Sequence, residues 1–401
     1  MGSWRNGGLT FRLQHLDWLA YDLRNILSMR ILMTCYELPP VGGGGGQFAA
    51  LLARELAFQG DDVDLVTMGF EGLPSQERHG LLSIQRVHSF RKDMRSCRVP
   101  EAASYLVGAV PVISKLCRRN IYHIVHSHFI LPDGLLGLWA QLATDLPFII
   151  TAHGTDVPYH NPHRVRWLHF CLRPLWRYLT LKASLVICPS QYLNARVLNI
   201  NRSVKTTIIP NGFDPRRFNP AGSKTKRILV VTRMVEFKGV QFLLQALKGL
   251  QIDYEVVLVG DGPYSNELKK HACELDIPVR FTGWIDNNSI ELKHLYETSN
   301  IFVFPSETEN CPIVLLEAMA AGLAIITTQD TGCTELVGEA ALLVAPRDPH
   351  AIRSALIELI NNPELIETLG TVARARLERI YSWGSISDRY REIYKQYARF
   401  V

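Results

Sequence analysis

The sequence predicts an α/β protein built from two doubly wound, Rossmann-like domains facing each other across a cleft. Short apolar runs bounded by turn residues alternate with helical patterns along the chain, as expected of parallel strands buried on both faces. The alternation occurs twice, interrupted at 211–226 by a stretch rich in Pro, Asn, Gly and basic residues, which has a linker composition. The 401 residues are also too many for one core and suit two domains of about 200 residues each.

Residues 1–28 form an N-terminal extension. Leu16, Leu19, Ala20, Leu23, Ile26 and Leu27 recur at helical spacing, so Phe11 to Ser28 reads as an amphipathic helix, either a peripheral anchor or the product of an upstream start codon, with Met29 the working start. The stretch lacks the pattern of a secretory signal. The first domain, 29–212, has expected strands at 31–35, 63–67, 124–127, 148–151 and 185–188. Its expected helices lie near 47–58, 101–118, 134–144, 163–182 and 190–199. The second, 213–380, has expected strands at 228–231, 255–259, 279–282, 301–304 and 324–327. Helices are expected near 239–248, 264–275, 289–298, 312–321 and 349–360. Residues 381–401 close the chain.

With 47% hydrophobic and 20% charged residues, the chain is neither disordered nor fibrous. No apolar run reaches the ~18 residues of a membrane span. Eight cysteines without CxxC or Cys/His metal spacing point to reduced thiols in the cytoplasm and away from a structural zinc. Charge is uneven: residues 1–210 hold 22 Lys and Arg against 14 Asp and Glu, whereas residues 241–401 hold 14 against 22. The basic clusters are Arg91, Lys92, Arg95 and Arg98; Lys115, Arg118 and Arg119; and Arg164, Arg166, Arg173, Arg177 and Lys182. Trp167, Phe170, Trp176 and Tyr178 lie among the last group. Such a surface suits an anionic membrane, on which the protein would sit peripherally; the alternative is a solvated face whose aromatics are core. No nucleic-acid-binding module is recognisable.

Ligands of doubly wound sheets bind beyond the carboxyl ends of the strands, so the chemistry is sought in those loops. Gly42 to Gly46 join a strand to a helix and would let a phosphate approach the helix N-terminus, or simply form a flexible turn. His153 and Asp156 follow a strand, where a functional and a structural histidine are equally at home. Arg233 and Lys238-Gly239 follow another and suit a diphosphate, a surface cation pair being the alternative. The most specific stretch runs from Pro305-Ser306 through Glu309 to Glu317 and Gly322. Pro312 is placed as the first helical residue and Gly322 as the helix stop, with Val314, Leu315 and Met319 packing inward. Glu309 then lies before the helix and Glu317 in its second turn, and two carboxylates lining one cleft would accept hydrogen bonds from a polyhydroxyl ligand.

These pieces, together with His153-Gly154-Thr155-Asp156, Pro210-Asn211-Gly212-Phe213-Asp214, Val259-Gly260-Asp261-Gly262-Pro263 and the Glu-x7-Glu spacing before Ala-Met-Ala-Ala-Gly, resemble the family 4 glycosyltransferases of the GT-B fold from Met29 onward. Trp383 to Tyr397 resembles that family's last helix, which crosses back to the N-terminal domain. The resemblance implies a retaining transfer of a hexose-type sugar from a nucleoside-diphosphate sugar to a sugar, glycolipid or lipid-linked saccharide, in envelope, exopolysaccharide or glycolipid synthesis. Arg233 and Lys238 would hold the diphosphate, Glu317 the ribose and Glu309 the transferred sugar. Gly44, Gly45 and Gly46 would approach the phosphate or sugar. Gly260, Asn310, Cys311 and Ile313 would line the donor site, the base resting near 260–263 and 283–285. His153 would sit near the sugar, making Glu309, His153, Arg233 and Lys238 the catalytic set, and His153 and Asp156 are the acceptor-side candidates. Many family members have Gly-Phe-Gly where this chain has Asn310-Cys311-Pro312. No cofactor and no divalent metal are expected, the cations standing in for one. The alternatives are a nucleotide-sugar epimerase on the same fold and a catalytically silent nucleotide-sugar-binding protein.

Overall fold

A computed structural model describes residues 28–94, 96–119, 121–158, 166–220 and 223–400. The expected helix at 11–28 lies outside them except for Ser28. Two compact units divide the chain. The first comprises the described residues up to Thr151 with Tyr178–Val186 and Arg391–Val401; the second comprises Ala152–Arg177 and Ile187–Tyr390.

The first sheet has eight strands: β1 (Arg30–Cys35), β2 (Asp62–Met68), β3 (Gln76–His79), β4 (Leu82–Val87), β5 (Ile124–His128), β6 (Phe148–Thr151), β7 (Leu185–Cys188) and β8 (Thr206–Ile208), in the order β3-β4-β2-β1-β5-β6-β7-β8. Its centre is parallel, Ile31 pairing with Val63 on one side and Ile124 on the other. Every residue of β5 and β6 is buried; β6 is apolar up to Thr151, whereas β5 begins with Ile124-Val125 and continues with the buried polar residues His126, Ser127 and His128. The parallel-only expectation fails at one edge, where β3 and β4 form an antiparallel hairpin from Gln76–Gln85 to His79–Leu82. Gln-Glu-Arg-His has no buried face to betray it, since β3 lies at the rim and is largely exposed. Within the first unit, Arg391 pairs with buried Asp61 at 2.9 Å, and the Tyr394 hydroxyl lies 2.7 Å from His126 Nδ1.

The second sheet comprises β9 (Arg227–Val231), β10 (Glu255–Val259), β11 (Val279–Gly283), β12 (Ile301–Phe304), β13 (Ala324–Thr328) and β14 (Ala341–Val344), ordered β11-β10-β9-β12-β13-β14 with all pairings parallel. Fully buried Phe302 stacks between Tyr296 and Phe304, at 5.7 and 6.4 Å between ring centroids. Short β8 and β14 and the helices Gly332–Val337 and Pro363–Ile380 lie outside the elements that periodicity predicts. The last of these did carry a start signal: Pro363 opens it and the Asn362 side chain accepts from Leu365 N–H at 3.1 Å. Of the aromatics near the third basic cluster, Trp176 is core, donating to Asp156 O at 3.0 Å, while Phe170 and Tyr178 are exposed; the Trp167 side chain lies outside the description.

The loops leaving β9, β10 and β11 are stitched together by their backbones. Thr232 N–H donates to Val259 O, Met234 N–H to Asp261 O, Tyr264 N–H to Met234 O and Gly260 N–H to Gly283 O, all within 3.0 Å. Gly260, at φ +129°, could carry no side chain, because a Cβ would fall 1.8 Å from Thr232 O. Gly283 also has positive φ but faces open space. Gly260→Ala is therefore expected to cost about 3 kcal/mol and Gly283→Ala only about 1 kcal/mol. Urea midpoints of the two variants check this, and equal losses would contradict the close-approach argument.

Candidate active site

The turn after β9 brings the first charges together. Glu236–Lys238 form a 3-10 turn that Gly239 closes in the left-handed region at φ +72°. A Cβ on Gly239 would lie 2.0 Å from Pro305 O, so glycine lets this turn rest on the end of β12, where Glu307 N–H donates to Phe237 O at 2.9 Å. Lys238 Nζ thereby meets Glu309 Oε1, which also accepts from Ser306 Oγ at 2.8 Å. Lys238 lies over the rings of Phe304 and Phe237, 5.2 and 5.5 Å from their centroids, and both members of the ion pair are only 13% exposed. The loop is held from behind, for Gly332 N–H donates to Glu309 O at 2.9 Å and a Cβ on Gly332 would strike Asn310 O. Arg233 is exposed, and its guanidinium has no ion pair among the described residues.

Glu317 lies on the helix Ile313–Ala320 and is 5% exposed. Its Oε1 is 3.2 Å from Arg217, and its Oε2 accepts from the Tyr296 hydroxyl at 2.9 Å. Burial pushes its carboxyl above the usual carboxylate range, against the pull of Arg217 and of the Tyr296 hydrogen bond. The two glutamates thus belong to separate networks, Glu309 with Lys238 and Glu317 with Arg217. Arg217 and Tyr296 are the residues that sequence reasoning missed. Arg217 had a faint signal as a cation just after Asn211-Gly212-Phe213-Asp214, whereas Tyr296 looked like any helix aromatic. The guanidinium of Arg217 lies over Phe213 and Phe218, and it reaches Asn287 O.

Pro312 is the N-cap of the helix rather than its first residue. Its ψ of 126° is extended, while its carbonyl already accepts from Leu315 N–H at 3.1 Å. Gly322 follows the helix at φ +66°, as a stop should. Val314, Leu315 and Met319 face the core. Cys311 is buried, and that burial pushes its thiol up to about 12, which favours the protonated form. Asn310 Nδ2 is 3.5 Å from His153 O, which joins that loop to the histidine segment within the second unit.

His153 is held by its own turn. Asp156 Oδ1 accepts from His153 N–H at 3.0 Å and Gly154 N–H at 2.9 Å, which commits that oxygen of Asp156 to shaping the loop. Burial lowers the imidazole to about 3, so the ring is neutral at physiological pH. In the first unit, the glycine loop folds around Glu37. Gly43 N–H donates to Glu37 Oε2 at 3.1 Å, and a Cβ on Gly42 or Gly46 would strike Glu37 at 2.4 or 2.3 Å. The helix there begins at Gly44, three residues before the expected Gln47, with Gly44 exposed, Gly45 half-buried and Gly46 buried. Among the described residues no group of three His, Cys, Asp or Glu could hold a metal ion. The Asp62-Val63-Asp64 sequence lies in β2, its carboxylates engaged by Arg30 and by the Tyr122 hydroxyl. No helix among the described residues is long and apolar enough to cross a membrane.

Known proteins resemble this chain in family and fold. Residues 42–217 match the family model for glycosyltransferase family 4, and residues 214–376 match that for glycosyl transferases group 1. An uncharacterized glycosyltransferase of Methanocaldococcus jannaschii is 24% identical, over 92% of this chain and 99% of its own length. Among solved structures, the fold is similar to sucrose-phosphate synthase of Thermosynechococcus elongatus, with a TM-score of 0.78 at 23% identity over 92% and 98% of the two chains. It is also similar to the Anabaena protein HepE in complex with UDP, with a TM-score of 0.72 at 17% identity over 92% and 100%.

Two outcomes follow from the site's electrostatics. The His153 value lies below the 6.5 of an unfolded histidine, so its contribution to stability is complete above pH 6.5 and is lost as pH falls towards 3. His153→Gln should flatten the fall of the urea midpoint between pH 6.5 and 4.5, and an unchanged slope would contradict the desolvated, neutral ring. Arg217→Ala leaves Glu317 buried without its cation and should cost about 3 kcal/mol. Combined with Glu317→Gln, it should cost less than the sum of the two single losses by at least about 0.5 kcal/mol; strict additivity in chemical denaturation would refute the coupling.

Proposed function

Because the chain belongs to the family 4, group 1 glycosyltransferases of the GT-B fold, we propose that it moves a hexose-type sugar from a nucleoside-diphosphate sugar to an acceptor hydroxyl with retention of anomeric configuration. The observation that carries this reading is the charge set at the strand ends of the second unit, where Lys238 pairs with Glu309, Glu309 also accepts from Ser306, and Arg233 on the loop after β9 stays exposed. Departure of a nucleoside diphosphate leaves charge on its β-phosphate, and preoriented cations stabilise that charge without reorganising. A phosphate arriving at Lys238 would weaken its hold on Glu309, freeing a carboxylate oxygen for a sugar hydroxyl. Glu317, fixed by Arg217 and Tyr296, is assigned to the ribose, and Gly260, Asn310, Cys311 and Ile313 to the walls of the donor site. Gly44 to Gly46 are assigned to the phosphate or sugar.

The neutral His153 is a hydrogen-bonding group on the acceptor side rather than a proton reservoir. A same-face attack, with the departing phosphate taking the acceptor's proton, needs no protein base. Arg233 and Lys238 replace a divalent metal in this scheme, and no cofactor is required. A UDP complex of a protein with this fold supports a nucleotide as the donor's leaving part. The acceptor is a sugar, glycolipid or lipid-linked saccharide, and the pathway envelope, exopolysaccharide or glycolipid synthesis. The epimerase and silent-binder alternatives are not favoured by the transferase family matches.

The test is a donor screen by thermal shift with UDP, GDP, ADP and their sugar conjugates, with and without EDTA, followed by turnover and NMR of the product's anomeric centre. One nucleotide family should stabilise the protein in EDTA, and the product should keep the donor's configuration. Arg233→Ala and Lys238→Ala should each lower kcat about a hundredfold. An inverted product, or full activity in both variants, would sink the proposal.

A further inference from the structure

The outer surface of the first unit carries a face that the transfer chemistry leaves unused. The helix Val99–Arg119 buries Glu101, Tyr105, Ala109, Ile113 and Leu116, spaced three or four apart, against its own unit. The opposite stripe, at i+4 steps from Val99 through Val107 and Pro111 to Lys115 and Arg119, is solvent-exposed, and Val107 is 76% exposed. The helix Asp133–Thr144 lies alongside, joined at the surface by Trp139 Nε1 donating to Ser114 Oγ at 3.0 Å. It adds Trp139 at 43% and Leu142 at 72% exposure. An indole half in water and half on apolar neighbours is a common feature of surfaces that meet a lipid headgroup layer.

Charge selects among the partners such a face could take. Each helix has one carboxylate, and both are buried. Glu101 accepts from the backbone of Arg98 at 2.7 Å, and Asp133 accepts from the Tyr105 hydroxyl at 2.9 Å. The cations Lys115, Arg118 and Arg119 are exposed and have no ion pair among the described residues. One exposed acid, Asp145, follows the second helix. Aliphatic side chains, an interfacial tryptophan and unpaired cations on adjoining helices complement a surface that is negative outside and apolar within.

We propose that this helix pair docks on an anionic lipid bilayer, Val107, Trp139 and Leu142 entering the headgroup region and Lys115, Arg118 and Arg119 meeting lipid phosphates. The proposal deepens the lipid-linked acceptor reading, but it rests on this surface and not on the donor site.

The test is co-sedimentation of the full chain with phosphatidylglycerol–phosphatidylcholine vesicles and with pure phosphatidylcholine vesicles, at low and high salt. The protein should sediment with the anionic vesicles, and salt should release it. Changing Lys115, Arg118 and Arg119 together to Gln should weaken binding on the order of a hundredfold, and Val107→Ser with Leu142→Ser should weaken it at unchanged charge. Both variants should keep the wild-type Tm and the wild-type thermal shift with the donor nucleotide. Absence of binding to anionic vesicles, or equal binding by the variants, would overturn the proposal. So would a wild-type dimer, seen by light scattering, that Leu142→Ser dissociates, because the face would then belong to a second copy. Failure of vesicle binding with an intact donor shift rejects this inference alone; vesicle binding without any donor shift rejects the transferase scheme alone.

Discussion

Backbone-to-backbone approach at the carboxyl ends of the second sheet is the constraint on which the candidate site depends. Gly239 against Pro305, Gly260 against Thr232, Gly262 against Met234 and Gly332 against Asn310 are contacts that a single Cβ would forbid. Because these loops touch through their main chains, their side chains are free to point elsewhere. Lys238, Glu309 and Ser306 converge because the turn bearing the first lies on the strand end bearing the others. The strands beneath are buried and parallel, so the loops inherit a rigid base.

Electrostatics then divides the labour. Glu309 shares its charge with a half-buried lysine and a hydroxyl, contacts that an incoming anion or sugar could exchange. Glu317 is enclosed by Arg217 and Tyr296, and its burial makes ionisation costly without that cation. His153 is held uncharged by desolvation while Asp156 shapes the turn beneath it. In the proposed scheme, hydroxyls and phosphates meet fixed partners, with little proton movement by the protein. On the first unit, the helices Val99–Arg119 and Asp133–Thr144 present a different sort of surface, with their own two carboxylates buried and Lys115, Arg118 and Arg119 exposed.

Much of the fold was legible. All ten strands expected from apolar runs are present, because most of them are parallel strands covered on both faces; β11 is only partly buried and β5 buries polar residues as well. Strand β3 was not legible because Gln76–His79 lies at the rim with one neighbour and little burial, so its composition carries no period, whereas β4 beside it does alternate through buried Leu82 and Ile84. Pro312 shows a subtler limit: its missing N–H is compatible with either the N-cap or the first helical position, and only ψ separates the two. At the site, Glu309, Lys238 and Arg233 could be selected from their loops, but Arg217 and Tyr296 could not be assigned to Glu317, from which they are separated by 100 and 21 residues.

By itself, the sequence determined the two-sheet α/β class, the position of the loops beyond the strand ends and the kind of charge they carry, since hydrophobic periodicity and glycine placement are local properties. Tertiary structure alone decided which carboxylate meets which cation, which histidine loses its proton to burial, and which cationic helix turns its apolar residues outward. Those outcomes depend on the distance and desolvation of groups far apart in the chain, and packing sets both.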